Sequence, residues 1–194
     1  VRVVSTESLR DPVRLAQDEA AHGRQMRLVL SAAQRRIADE ILADFDAGKP
    51  ATYLIHGITG SGKTEVYMQI VEEMVRRGRQ AIVLIPEISL TYQTVRRFYG
   101  WFGEKVSVLN SRLSLGERYD QFRRAKQGEI QIMVGPRSAL FTPFSRLGLI
   151  IIDEEHEQTY KSESSPRYHA REVAVQRAAQ EGACVVMGSA TPSL

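Results

Sequence analysis

Cysteine occurs once in this chain, at Cys184, inside the apolar run Cys184-Val185-Val186-Met187. A lone thiol excludes an internal disulfide and a multi-cysteine zinc site, and makes the cytoplasm the default compartment. Long apolar stretches are also missing. The longest, Leu147 to Ile152, has six residues, against roughly 20 for a bilayer-spanning helix, so no membrane span and no membrane partner are expected. There is no initiator Met, and no apolar core followed by a small-residue cleavage site marks a signal peptide, so the chain reads as a fragment. No repeat or low-complexity segment is seen. With 43% hydrophobic and 25% charged residues among 194, disorder, collagen and coiled coil are excluded, and the length suits one globular domain or slightly more.

The net charge of +3 is modest, but its distribution is uneven. From Arg96 to Arg146 there are ten Lys and Arg against four Asp and Glu, which leaves the rest of the chain acidic. Such a stretch is either a solvated helix face or the electrostatic footprint of a polyanion such as nucleic acid.

Residues 1–29, with Pro12, Gly23 and scattered charges, read as a linker or the tail of a preceding domain. From residue 30 to 194 the pattern is regular. A helix is expected over Ala32–Phe45 with Ile37, Ile41, Leu42 and Phe45 on one face, stopped at Gly48-Lys49-Pro50. Short apolar runs follow at Tyr53–Ile55, Ala81–Ile85, Val106–Leu109, Ile130–Val134, Leu149–Ile152 and Ala183–Met187. Amphipathic stretches separate them near Lys63–Arg77, Leu90–Trp101, Ser114–Gln127 and Ala170–Gln180. This alternation predicts an α/β fold, a mostly parallel sheet with helices on both faces.

Directly after the first apolar run comes Gly57-Ile58-Thr59-Gly60-Ser61-Gly62-Lys63-Thr64, which satisfies G-x-x-x-x-G-K-[ST] between a strand and a helix. Glycines let backbone N–H groups turn toward phosphate oxygens, and the helix N-terminus adds partial positive charge. Gly57, Thr59, Gly60, Ser61 and Gly62 are the expected cradle, Lys63 the contact to the β and γ phosphates, and Thr64 a ligand for Mg²⁺. The fifth run ends in Asp153-Glu154-Glu155-His156, adjacent acids that are costly to bury without compensation. Asp153 is expected to hold Mg²⁺ through water, and Glu154 to position and deprotonate an attacking water. Together the two motifs imply a nucleoside triphosphatase.

Ser189-Ala190-Thr191 follows the last run and offers hydroxyls at Ser189 and Thr191 to His156, a route for relaying the phosphate state. Upstream, Leu30-Ser31-Ala32-Ala33-Gln34 looks like the LSGGQ signature of transporter ATPases, but that signature follows the phosphate loop, whereas this segment precedes it. Gln34 instead resembles in its placement the adenine-reading glutamine of helicases, with an amide able to donate and accept on the adenine edge. The alternative is a plain surface glutamine.

The chain resembles the first motor lobe of superfamily 2 DNA helicases, and among them the primosomal replication-restart family, over roughly Leu30 to Leu194. The resemblance is carried by Gly60 to Tyr67, Pro86-Glu87-Ile88-Ser89-Leu90-Thr91, the stretch Arg137 to Phe144, Asp153-Glu154-Glu155-His156 and Gly188-Ser189-Ala190-Thr191-Pro192. It implies a RecA-like lobe and ATP-driven movement along single-stranded DNA, in the 3′ to 5′ direction. It also implies engagement of forked DNA, and primosome and single-strand-binding proteins as partners. Family members carry duplex-binding domains before this lobe, and a zinc-binding insertion and a second lobe after it, so zinc is expected only there. By the same resemblance, Pro86 to Thr91 and Gly135 to Ser138 track the backbone of one DNA strand, with Arg137 offering a forked donor. The loop holding Tyr160, Lys161, Arg167, Tyr168 and Arg171 would sense DNA, with Tyr160 or Tyr168 stacking on a base. Rival readings are a binding module with a vestigial nucleotide site, an RNA helicase, or another translocase of the superfamily.

Overall fold

The computed structural model describes residues 29–58 and 60–191. Six strands, β1 (Thr52–His56), β2 (Gln80–Leu84), β3 (Val106–Val108), β4 (Ile132–Gly135), β5 (Leu147–Ile152) and β6 (Cys184–Ser189), form one sheet in the order β1-β6-β5-β2-β4-β3. All neighbours pair in parallel. Among the described residues, helix α1 (Ala32–Asp46) precedes β1, and four helices connect strands: α2 (Lys63–Arg76), α3 (Tyr92–Phe102), α4 (Leu115–Gln127) and α5 (Ala170–Glu181). Each strand and helix lies within two residues of its expected bounds, and the fold is the RecA-like α/β lobe.

Side chains alternate across a strand, so the sheet separates two cores. Ala81, Val83, Val134, Leu149, Ile151 and Val186 face one way, packed with Ile41, Met68, Met74 and Phe98 of α1, α2 and α3. Ile82, Leu84, Met133, Ile150, Ile152 and Val185 face the other, packed with Ala125 of α4 and with Ala170, Ala174 and Ala178 of α5. The spacing of those three alanines keeps one smooth face against the sheet. Cys184 belongs to the first core and is simply buried.

Local chemistry fixes the helix starts. Ser31 and Gln34 form a reciprocal capping box on α1, and Ser114 and Glu117 do the same on α4. One expectation is corrected: Ile37 is 37% exposed. The buried stripe of α1 runs through Ala38, Ile41 and Leu42, which leaves Ile37 on its shoulder. Among the described residues no helix is long and apolar enough to cross a membrane. The expected linker or tail lies almost wholly outside the described residues.

Candidate nucleotide site and nucleic-acid interface

Parallel sheets gather loops at the carboxyl ends of their strands, where ligands settle. Here that edge collects the phosphate loop after β1, Pro86 after β2, Arg137 after β4, the Asp153–His156 turn after β5 and Ser189 at the end of β6. Thr59 lies outside the described residues. Gly57 N donates to Ser189 O at 3.1 Å, tying the loop's entry to β6.

Gly60 and Gly62 have φ of +82° and +83°, a region that favours glycine. A Cβ on Gly62 would also overlap the Gln34 amide. The Gln34 amide makes a bond at each end: Ser31 N donates to its Oε1 at 2.9 Å and its Nε2 donates to Ser61 O at 2.9 Å. The residue expected to read the base thus also links α1 to the phosphate loop. Lys63 is 8% exposed, and its Nζ donates to Gly57 O at 2.6 Å and Ile58 O at 3.4 Å. The ammonium therefore lies within the loop's own curve. Thr64 is the second residue of α2 and half-buried.

The acidic turn is stitched to both neighbouring strands. Asp153 N donates to Leu84 O at 2.9 Å, and Glu155 N donates to Gly188 O at 2.9 Å. Burial raises the Asp153 carboxyl to a pKa of about 6, and the nearby Glu154 charge adds to the rise. Glu154 adopts φ +48°, a left-handed conformation that is costly for a non-glycine residue and clusters at functional sites. Its Oε2 lies 3.8 Å from His156 Nδ1. His156 Nδ1 is hydrogen-bonded to Ser189 Oγ at 2.9 Å, and Thr191 N donates to that same oxygen at 3.1 Å. Ser189 therefore meets His156 as expected, whereas Thr191 joins through its backbone.

No group of three or more His, Cys, Asp or Glu that could hold a metal occurs among the described residues. A cation at Asp153 and Thr64 would then draw on phosphate oxygens and water. That suits Mg²⁺, which keeps several waters and takes few protein ligands.

Most of the residues expected to meet DNA line two hollows. One, of about 250 Å³, is lined by Pro86, Asn110, Arg118, Arg137, Ser138 and Thr159, among others. The second, about 810 Å³, is lined by Lys161, Arg167, Tyr168 and His169 with Ser162, Glu163 and Glu172. Arg137 lies at the join, its Nη1 donating to Thr159 O at 2.7 Å and Lys161 O at 3.3 Å. Thr91 caps α3, its Oγ1 accepting from Thr94 N at 3.3 Å. Arg171 points back to the acidic turn, with Nη1 3.4 Å from Glu155 Oε2. Tyr168 meets Phe141 edge to face at 5.3 Å.

Tyr160 is a correction. It is 1% exposed, and its hydroxyl donates to Asp153 O at 2.6 Å and Leu84 O at 3.1 Å. A base cannot stack on a buried ring, so of the two tyrosines only Tyr168 keeps that option. The basic stretch is also partly neutralised, since Arg97 pairs with Glu65, Arg123 with Asp120 and Arg124 with Glu129. Sequence reasoning missed Arg118, whose buried Nε has no hydrogen-bond partner. Only its place in the basic stretch, one helical turn into α4, could have singled it out.

Phosphate loop, acidic turn and Ser189 on one edge of a RecA-like sheet define a helicase-type nucleotide lobe. The sequence profile of the DEAD/DEAH box helicases matches residues 31–193, and the chain belongs to that family. Within it, the chain is 52% identical over 167 residues to replication restart protein PriA of Bacillus subtilis, covering 86% of this chain and 21% of that protein. It is 40% identical over 149 residues to replication restart protein PriA of Rickettsia typhi, covering 77% and 23%. The chain thus spans about a fifth of the length of these curated relatives and corresponds to their first helicase lobe. Among solved structures, RecG bound to a three-way DNA junction superposes with a TM-score of 0.64 at 24% identity, over 92% of this chain and 23% of that one.

Proposed function

We propose that residues 30–194 are the nucleotide-binding first lobe of an ATP-dependent DNA translocase acting in replication restart, with residues 1–29 a linker or preceding tail. The observation that carries this reading is the shared edge. Asp153 and Glu154 sit one short turn from Tyr160, and Arg137 reaches Thr159 O and Lys161 O beyond it. The nucleotide elements and the basic hollows are therefore linked through a few backbone groups.

In this reading Gly57 to Thr64 wraps the phosphates, and Lys63 exchanges the Gly57 and Ile58 carbonyls for phosphate oxygens. Asp153 and Thr64 hold Mg²⁺, which when bound neutralises phosphate charge. Glu154 orients the attacking water and accepts its proton as the oxygen adds to phosphorus, while the nucleoside diphosphate leaves. His156, Ser189 and Thr191 sense that change. Gln34 gives up Ser61 O to meet adenine. Pro86, Thr91, Arg137 and Ser138 follow the DNA backbone, with Lys161, Arg167, Tyr168 and Arg171 on the coupling loop. Single-stranded and forked DNA are the partners, 3′ to 5′ is the direction, and primosome and single-strand-binding proteins join in the complete protein.

Lys63→Ala tests the core of this reading. It should weaken Mg-ATP binding at least tenfold by fluorescence titration, since the charge on the β and γ phosphates is lost; unchanged affinity would refute the nucleotide assignment. ATP turnover by the complete protein should be stimulated more by forked DNA than by RNA. The reverse order would point to an RNA helicase.

A further inference from the structure

Among the described residues three buried side-chain polar atoms have no hydrogen-bond partner: Tyr67 Oη, Arg118 Nε and Gln131 Oε1. Leaving a buried hydroxyl unpaired is destabilising, so a tyrosine where phenylalanine would pack as well calls for a reason. Tyr67 is 2% exposed, on α2 four residues after Lys63 and three after Thr64, hence on the same side of the helix.

Its hydroxyl is aimed at the end of β6. A Cβ on Gly188 would overlap Tyr67 Oη and lie 2.8 Å from its Cζ and 3.5 Å from Asp153 Oδ1. Gly188 thus leaves room for the phenol, and the phenol and the Asp153 carboxyl lie within reach of one bridging water. The far side of Asp153 is already fixed, because Tyr160 Oη donates to its backbone carbonyl at 2.6 Å.

We propose that Tyr67 is a positioning residue for the metal-holding carboxylate: its hydroxyl donates to Asp153, directly or through one water, and orients that carboxylate toward Mg²⁺. This rests on the nucleotide reading above. Partners that orient a metal ligand typically cost 10- to 100-fold in metal affinity when removed. If Tyr67 only fills space, Tyr67→Phe removes an unpaired hydroxyl and leaves the metal requirement alone.

The test titrates MgCl₂ into the 194-residue chain holding a fluorescent, non-hydrolysable ATP analogue, with binding in EDTA and the melting temperature as companion readings. Tyr67→Phe should raise the half-saturating Mg²⁺ about tenfold, with no loss of melting temperature and unchanged metal-free nucleotide affinity. In an Asp153→Asn background the same substitution should add no further shift, because the carboxylate it orients is gone. An unchanged Mg²⁺ requirement overturns the positioning role, and so does a full additive shift in that background. If the unmodified chain binds the analogue with no dependence on Mg²⁺, the metal assignment fails and the inference with it. That outcome is distinct from failure of Tyr67 alone.

Discussion

Asp153 carries the clearest electrostatic signature of any residue at the nucleotide edge. An aspartate in the unfolded chain titrates near 3.8, and burial beside Glu154 moves it to about 6. Between those values the folded chain binds a proton that the unfolded chain does not. The group's contribution to stability is therefore fully present below about 3.8 and is lost as pH rises through about 6. At roughly 1.4 kcal/mol per unit, Asp153→Asn should raise the metal-free stability at pH 8 by on the order of 2–3 kcal/mol. At pH 4 it should add little, and urea midpoints at the two pH values measure the difference. A gain equal at both would mean that the Asp153 charge is already compensated. Tyr160 gives a second test at this scale. Removing its hydroxyl takes that donor from Asp153 O, while Leu84 O keeps Asp153 N, so Tyr160→Phe should cost about 1–3 kcal/mol yet leave single-strand DNA affinity within twofold. A stability-neutral variant that loses DNA binding would return the ring to a stacking role.

At the scale of elements, the phosphate-loop helix and the strand that ends in Asp153 were legible because each is a short apolar or amphipathic run ended by residues of one chemistry. Gly57 to Thr64 has no packing alternative that needs two glycines at positive φ beside a lysine. The acidic turn was equally plain, since charges cannot follow Ile150-Ile151-Ile152 into a core. Legibility failed where the role depends on which side of a backbone a residue falls. Tyr160 and Tyr168 look alike in sequence, flanked by polar residues and cations, but the short 3₁₀ turn Gln158–Tyr160 drives the first under the sheet edge. Strand order was also hidden, because β1 and β6 pair across the whole chain. The same argument bears on Arg137. It opens the 3₁₀ segment Arg137–Phe141 and clamps Thr159 O, so Arg137→Ala should lower the salt slope of single-strand DNA binding by about one unit and loosen the loop. Hydrogen exchange of the amides from Gln158 to Lys161 would register that loosening. An unaltered slope with faster exchange would make Arg137 a structural clamp only.

At the scale of the described molecule, the groups that the proposed nucleotide reading assigns to Mg-ATP lie on one edge: Gly57, Gly60 to Thr64, Asp153 and Glu154. Four cations among the described residues are accounted for otherwise. Lys63 belongs to the cradle, Arg97 is paired with Glu65, and Arg171 faces Glu155. Arg167 lines the separate hollow with Tyr168 and His169. In phosphoryl transfer an arginine brought to the γ-phosphate from elsewhere is worth about 10³ to 10⁵ in rate. In a chain spanning 21% of its Bacillus subtilis relative, the proposed second lobe is the natural source of that residue. The isolated chain should therefore bind Mg-ATP but turn it over near background, with or without DNA. Joining it to its second lobe in one polypeptide should raise steady-state hydrolysis by at least 10³-fold, and Glu154→Gln in that longer protein should abolish the gain while sparing nucleotide binding, because an amide cannot accept the water's proton. Rapid DNA-stimulated hydrolysis by the isolated chain would instead place the missing charge within residues 1–194 or on a neighbouring copy. A dependence of rate on the square of protein concentration would then identify the copy.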